Sequence, residues 1–219
     1  MGNNDIVRTS VFDPKTGDSI FSYSYAGQVC PAEYIESPIA NQYIGYDLIF
    51  HDLELARLWL SMAYKLIDAA PEHRPDVKQN DDVFLAKLAG TENEALQALF
   101  VSSITYYGKC YTGAKGRRIK LESTNLPEVY LSIHDKIMEF RNTIAAHSGK
   151  GPWDTGRLAL IAHPDGNYKS TVLWSELKTL QFFDDRNEEF SYLKLVDYLK
   201  VTTYEKMCKL REVILEKIK

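Results

Sequence analysis

The sequence predicts a mostly α, α+β fold: a helical bundle in one domain, carrying two β-hairpins that are candidates to share one small sheet. Three observations lead there. Four long segments repeat their apolar residues at helical spacing. Two pairs of β-branched and aromatic runs flank Pro/Gly-containing turns. Finally, 219 residues with 45% hydrophobic and 26% charged side chains have the length and balance to bury a real core.

Taken in order, residues 6–13 (IVRTSVFD) and 18–26 (DSIFSYSYA) flank Pro14-Lys15-Thr16-Gly17, which reads as a hairpin turn with a glycine for positive φ. Residues 27–40, with Gly27, Pro31 and Pro38, read as a connecting loop. From Asn41 to about Ala70 the spacing predicts a long helix, with Ile44, Leu48, Leu55, Trp59, Met62 and Leu66 on its period and Pro71 as its stop. A charged linker, 72–79, and a short helix ending before Gly90 follow. Thr91 with Glu94 forms a capping box for a helix through Leu96, Leu99, Ile104 and Tyr107 to about Tyr111.

Residues 112–124 are a basic loop. A helix from Leu126 to Ser148 comes next, started by Pro127 and stopped by Gly149, Gly151 and Pro152. Residues 157–163 and 168–174 surround Pro164-Asp165-Gly166-Asn167, the second hairpin signal. Residues 175–189 are mixed, with room for a short helix. A final helix runs from about Phe190 to the end, with Val196, Leu199, Thr203, Met207, Leu210 and Ile214 inward. The expected organisation is therefore one domain: 1–40 hairpin and loop, 41–148 helical core, 149–219 second hairpin and last helix.

Composition narrows the function. There is no run of 18 apolar residues to span a membrane, and MGNNDIVRTS has neither a secretory nor a myristoylation pattern. Cys30, Cys110 and Cys208 are isolated, which fits a reducing compartment and gives no thiolate metal site; the cytoplasm is the expected location. The net charge is −4, yet no Asp or Glu occurs between Glu94 and Glu122, while Lys109, Lys115, Arg117, Arg118 and Lys120 do. One basic segment on an acidic body suggests a specific anionic partner.

The helix over 126–148 carries two stripes. Ile133, Ile137, Phe140 and Ile144 form an apolar one that must be buried; His134, Met138, Arg141 and Ala145 form a half-polar one about 100° round. Arg141-Asn142, with Ala145-Ala146-His147 after it at the end of a long amphipathic helix, resembles the Arg-x4–6-His signature of HEPN domains (higher eukaryotes and prokaryotes nucleotide-binding). A second Arg-x5-His, Arg157 to His163, falls instead on a predicted strand running into a turn. The block Tyr106 to Tyr111, then Gly113 to Arg118, also resembles a tyrosine-plus-basic stretch of some bacterial HEPN-like proteins. The resemblance covers about residues 41–148.

It implies a HEPN-like helical core and a metal-independent endoribonuclease without cofactor, acting as a homodimer at whose interface two Arg/His sets meet. Such proteins serve as toxins of toxin–antitoxin or anti-phage defence systems, so the implied partners are an RNA substrate (tRNA or other cellular RNA), a second copy, and an antitoxin or defence-system protein. The residue types suit the chemistry. Histidine transfers protons near neutral pH, and arginine offers a forked, permanent cation to phosphoryl oxygens. Catalysis is thus assigned to Arg141, Asn142 and His147; RNA contact to Tyr107, Lys109, Tyr111, Arg117, Arg118 and Lys120; and the dimer face to His134, Met138 and Ala145. On a straight helix Arg141 and His147 point about 120° apart, which favours a site shared between copies.

The plain alternative makes Arg141 an ion-pair residue, His147 a helix cap and the basic loop a solvated turn. A non-catalytic HEPN-like module that binds nucleotide, RNA or protein is the rival function. Asp47, His51 and Glu54, at i, i+4 and i+7, read as a solvated or dimer-facing polar stripe rather than metal ligands.

Overall fold

A computed structural model describes residues 6–69, 91–113, 117–146, 155–161, 172–178 and 182–218. The linker and short helix over 72–89, Lys115, His147 with the glycine–proline stop after it, the turn 164–167 and His163 lie outside the described residues. By internal packing the chain divides into two compact units, Met1–Ala40 and Asn41–Lys219. The chain is mostly helical with small antiparallel sheets, an α+β fold.

The first unit is a three-stranded antiparallel sheet, β1 (Ile6–Phe12), β2 (Ser19–Tyr25) and β3 (Gln28–Cys30), in the order β1-β2-β3. The β1–β2 turn forms where the sequence places it: Gly17 takes φ +76 and donates its N–H to the Asp13 carbonyl, while Asp13 Oδ1 accepts from Lys15 N. β3 falls in the segment read as loop. Its two-residue turn, Ala26-Gly27 at φ +48 and +80, is a primed turn in which alanine replaces the usual Asn or Asp, so the signal is faint.

The second unit holds four helices: α1 (Pro38–Ala69, beginning at the unit boundary), α2 (Thr91–Lys109), α3 (Leu131–Ala146) and α4 (Tyr192–Ile218). It also contains a two-stranded sheet, β4 (Thr155–Ile161) with β5 (Val172–Lys178). The two hairpins do not share a sheet. α1 starts earlier than the apolar period suggests because Ser37 Oγ accepts the Ala40 N–H and Pro38 occupies the first helical position.

Three further corrections follow. The expected inner stripe of α1 is out of phase: the buried residues are Ile49, Leu53, Ala56, Leu60, Ala63 and Ile67, whereas Ile44, Leu48 and Met62 are exposed. Residues 126–130 are not α-helix; a single 3-10 turn over Glu128–Tyr130 precedes α3. Residues 175–189 contain no helix among the described residues: β5 runs to Lys178, and turns follow to α4.

The core packs α2, α3 and α4 against α1 through Leu96, Phe100, Ile104, Tyr107, Ile137, Phe140, Tyr192, Leu195 and Val196. Val196, Leu199, Thr203 and Met207 are the buried face of α4, at the spacing expected. Asp185 holds the start of that helix, accepting from Tyr192 N and from the Tyr64 hydroxyl.

Candidate functional site

Arg141 lies near the end of α3 and crosses the last turn of α2 at Gly108. A Cβ on Gly108 would come within 2.8 Å of Arg141 Cγ and 3.1 Å of its Nε, so glycine is what leaves room for the arginine stem. The guanidinium donates to Asn142 Oδ1 at 3.0 Å and reaches Thr112 Oγ1 at 3.5 Å. Both partners are neutral. Among the described residues Arg141 has no carboxylate partner, and its guanidinium is held by neutral groups.

Behind it, toward the start of α3, lies an aromatic cluster. His134 Nδ1 and the Tyr107 hydroxyl share a hydrogen bond of 2.7 Å, and the Tyr111 ring sits 4.5 Å from the imidazole. Burial lowers the pKa of His134, opposed by the nearby Asp135 carboxylate, and it raises those of Tyr107 and Tyr111. The imidazole is therefore neutral at neutral pH. This overturns two assignments. His134, only 5% exposed, is not on an open dimer face, and Tyr107, fully buried, has no surface on which a base could stack. Met138 is half-buried against the core as well. Tyr111 stays partly open. Ala145 is on α3.

The basic segment splits in the same way. Asp52, a buried carboxylate of α1, receives Lys109 Nζ on Oδ1 at 2.9 Å and the Arg117 guanidinium on Oδ2. Arg117 also donates to the Lys109 carbonyl, satisfying the end of α2. Ile119 packs where Gly45 lacks a side chain, and Leu121 N bonds to the Cys110 carbonyl. Lys109 and Arg117 are thus fasteners for the loop, sharing the single carboxylate of Asp52. Lys120 pairs with Glu122 at 3.3 Å on the surface. Arg118 is exposed at φ +58, without an ion pair among the described residues. Of the four described basic residues in this segment, Arg118 keeps the character expected of a free cation.

Sequence reading missed Asp52, Gly108 and Thr112. Asp52 was findable once the phase of α1 is right, because a carboxylate beside Leu53 in a buried stripe demands a cation. Gly108, inside a helix, marks a close approach. Thr112 gives no signal in sequence.

Beside this region a cavity of about 380 Å³ is lined by Tyr46, Tyr111, Tyr198, Lys120, Lys206 and Lys209, with Asn125 and Thr202 among its other walls. Lys206 lies over the Tyr46 ring. Cys110 is buried, and its thiol is pushed up to about 12, so it is no nucleophile at neutral pH. Glu54 pairs with Lys200, and no cluster of metal-ligating side chains occurs among the described residues. No helix among them is long and apolar enough to cross a membrane. No family model matches the sequence, and no curated protein or solved structure matches it either.

Proposed function

We propose that the chain is a HEPN-type endoribonuclease that cleaves RNA through its own 2′-hydroxyl. The observation that carries the reading is the Arg141 guanidinium, oriented by Gly108, Asn142 and Thr112 and without a carboxylate partner among the described residues. An arginine held this way meets a phosphoryl group without first having to break an ion pair. In the reaction the 2′-oxygen attacks the adjacent phosphorus and the bond to the 5′-oxygen breaks, leaving a 2′,3′-cyclic phosphate. Arg141 stabilises the charge on the non-bridging oxygens, and His147, six positions on in sequence, transfers a proton to or from the reacting oxygens. Asn142 keeps the guanidinium in place. No metal is needed for these steps.

The same reading makes RNA the partner, with Arg118 and Tyr111 the remaining contacts from the basic segment. It has two copies acting together, and it sets the protein among toxins or anti-phage effectors in the cytoplasm, with an antitoxin or defence protein to restrain it. The test is RNA cleavage by purified protein in EDTA, wild type beside His147→Ala. Cleavage by the wild type alone, with cyclic phosphate ends, is the expected result; equal activity in both variants would sink the assignment.

A second reading, a non-catalytic module that binds a phosphate-bearing ligand, is favoured by one observation. The cavity beside Tyr111 presents three tyrosines and the cations Lys206 and Lys209, beside Glu205 and the Lys120–Glu122 pair. Absence of cleavage with saturable binding of a nucleotide, lost in Lys206→Ala, would select it.

A further inference from the structure

α1 carries the same apolar repeat twice. The buried stripe, Ile49, Leu53, Ala56, Leu60, Ala63 and Ile67, advances by four, three, four, three and four residues, and the chain's own helices fill it. Five positions earlier, about 140° round the helix, Ile44, Leu48, His51, Leu55, Leu58 and Met62 advance by the same steps. This second seam is open. Ile44 is 53% exposed, Leu48 41%, Leu58 49% and Met62 41%; His51 is exposed and Leu55 half-buried. Alternation of three and four is the spacing that receives knobs from another helix, whereas single exposed apolar residues on a surface carry no such order.

From these observations we propose that the second seam is a dimer interface, filled by α1 of a second copy running antiparallel about a two-fold axis beside Leu53. The seam is self-complementary in that register. Ile44 faces the second copy's Met62, Leu48 its Leu58, and His51 its Leu55, so every layer from 44 to 62 brings at least one apolar side chain and no two charges together. The polar flank is mixed, because the two copies' Glu54 carboxylates lie on the same side about 3 Å apart along the axis. His51 falls beside the second copy's Glu54, pairing an imidazole N–H donor with a carboxylate twice by symmetry. Glu54 is already held at the surface by Lys200, at 3.3 Å. A parallel pairing would instead stack His51 on His51. The contact extends over five turns, about 27 Å.

Of the residues expected on the α3 face, His134 is buried and Met138 half-buried, whereas the α1 seam is exposed. This interface does not rest on the ribonuclease reading: the dimer stands or falls without any RNA present.

The test is the mass in solution by light scattering after gel filtration, for wild type and for Leu48→Lys/Leu58→Lys. Both leucines are exposed, so the double variant keeps its fold, checked by its circular dichroism. A dimeric wild type, with dissociation weakened about 100-fold or more in the variant, is expected. A monomeric wild type, or a variant that dimerises as well as wild type, would overturn the interface. Register is read separately, with Cys30 and Cys208 changed to Ser. Leu48→Cys and Leu58→Cys proteins should form an intermolecular disulfide when mixed and none when kept apart. Disulfides within each separate protein, or none on mixing, would overturn the antiparallel pairing.

Discussion

Two arginines in this chain look alike in sequence and differ in what surrounds them. Arg117 is largely enclosed, its side chain 10% exposed with its charge against the buried Asp52, and its guanidinium also closes the end of α2. Arg141, half-buried near the end of α3, is held by an asparagine, a threonine and the space over a glycine. The first cation is part of the fold. The second is positioned by neutral groups and has no carboxylate partner among the described residues. A count of basic residues cannot separate the two; the location of the carboxylates does.

The largest expected effect comes from breaking the paired side of this comparison. Asp52→Ala leaves the largely enclosed Arg117 and the neighbouring Lys109 without their carboxylate and should cost about 3–5 kcal/mol, measured by urea unfolding. A loss within experimental error would show that the loop does not depend on this pair. A smaller effect is expected from Gly108→Ala. The new methyl meets the arginine stem at 2.8 Å and should displace Arg141, lowering RNA cleavage about 10-fold or more. Stability should change little, since alanine is a better helix former by about 1 kcal/mol. Unchanged cleavage would mean that the position of the guanidinium is not limiting.

The smallest effect concerns His134. Its pKa is lowered in the folded state by burial, so the unfolded chain binds the proton more readily. Stability is therefore fully present above the ordinary histidine value of about 6.5 and declines as pH falls below it. His134→Gln should remove that part of the slope in a series of unfolding curves, and an unaltered slope would assign it to other groups.

Much of the fold was legible in the sequence. The first hairpin, α2 and the inner face of α4 follow from local spacing and caps. The phase of α1 did not, because that helix has two apolar stripes of identical period, and periodicity cannot say which one the chain itself covers. For the same reason the open seam was mistaken for core. β3 was missed because Ala26 adopts a turn conformation that its side chain disfavours. At the site, the pattern singles out Arg141 and Asn142, and their side chains hydrogen-bond each other. The roles of Tyr107, Lys109, Arg117 and His134 depend on long-range partners, Asp52 above all, that no local pattern reveals.

The most direct test of the account is Arg141→Gln, measured for RNA cleavage in EDTA and for thermal unfolding on the same preparation. An arginine held for a ligand predicts cleavage reduced about 100-fold or more, with stability within about 0.5 kcal/mol of wild type. Full cleavage, or a variant that unfolds far more easily, would contradict it and return Arg141 to the fold.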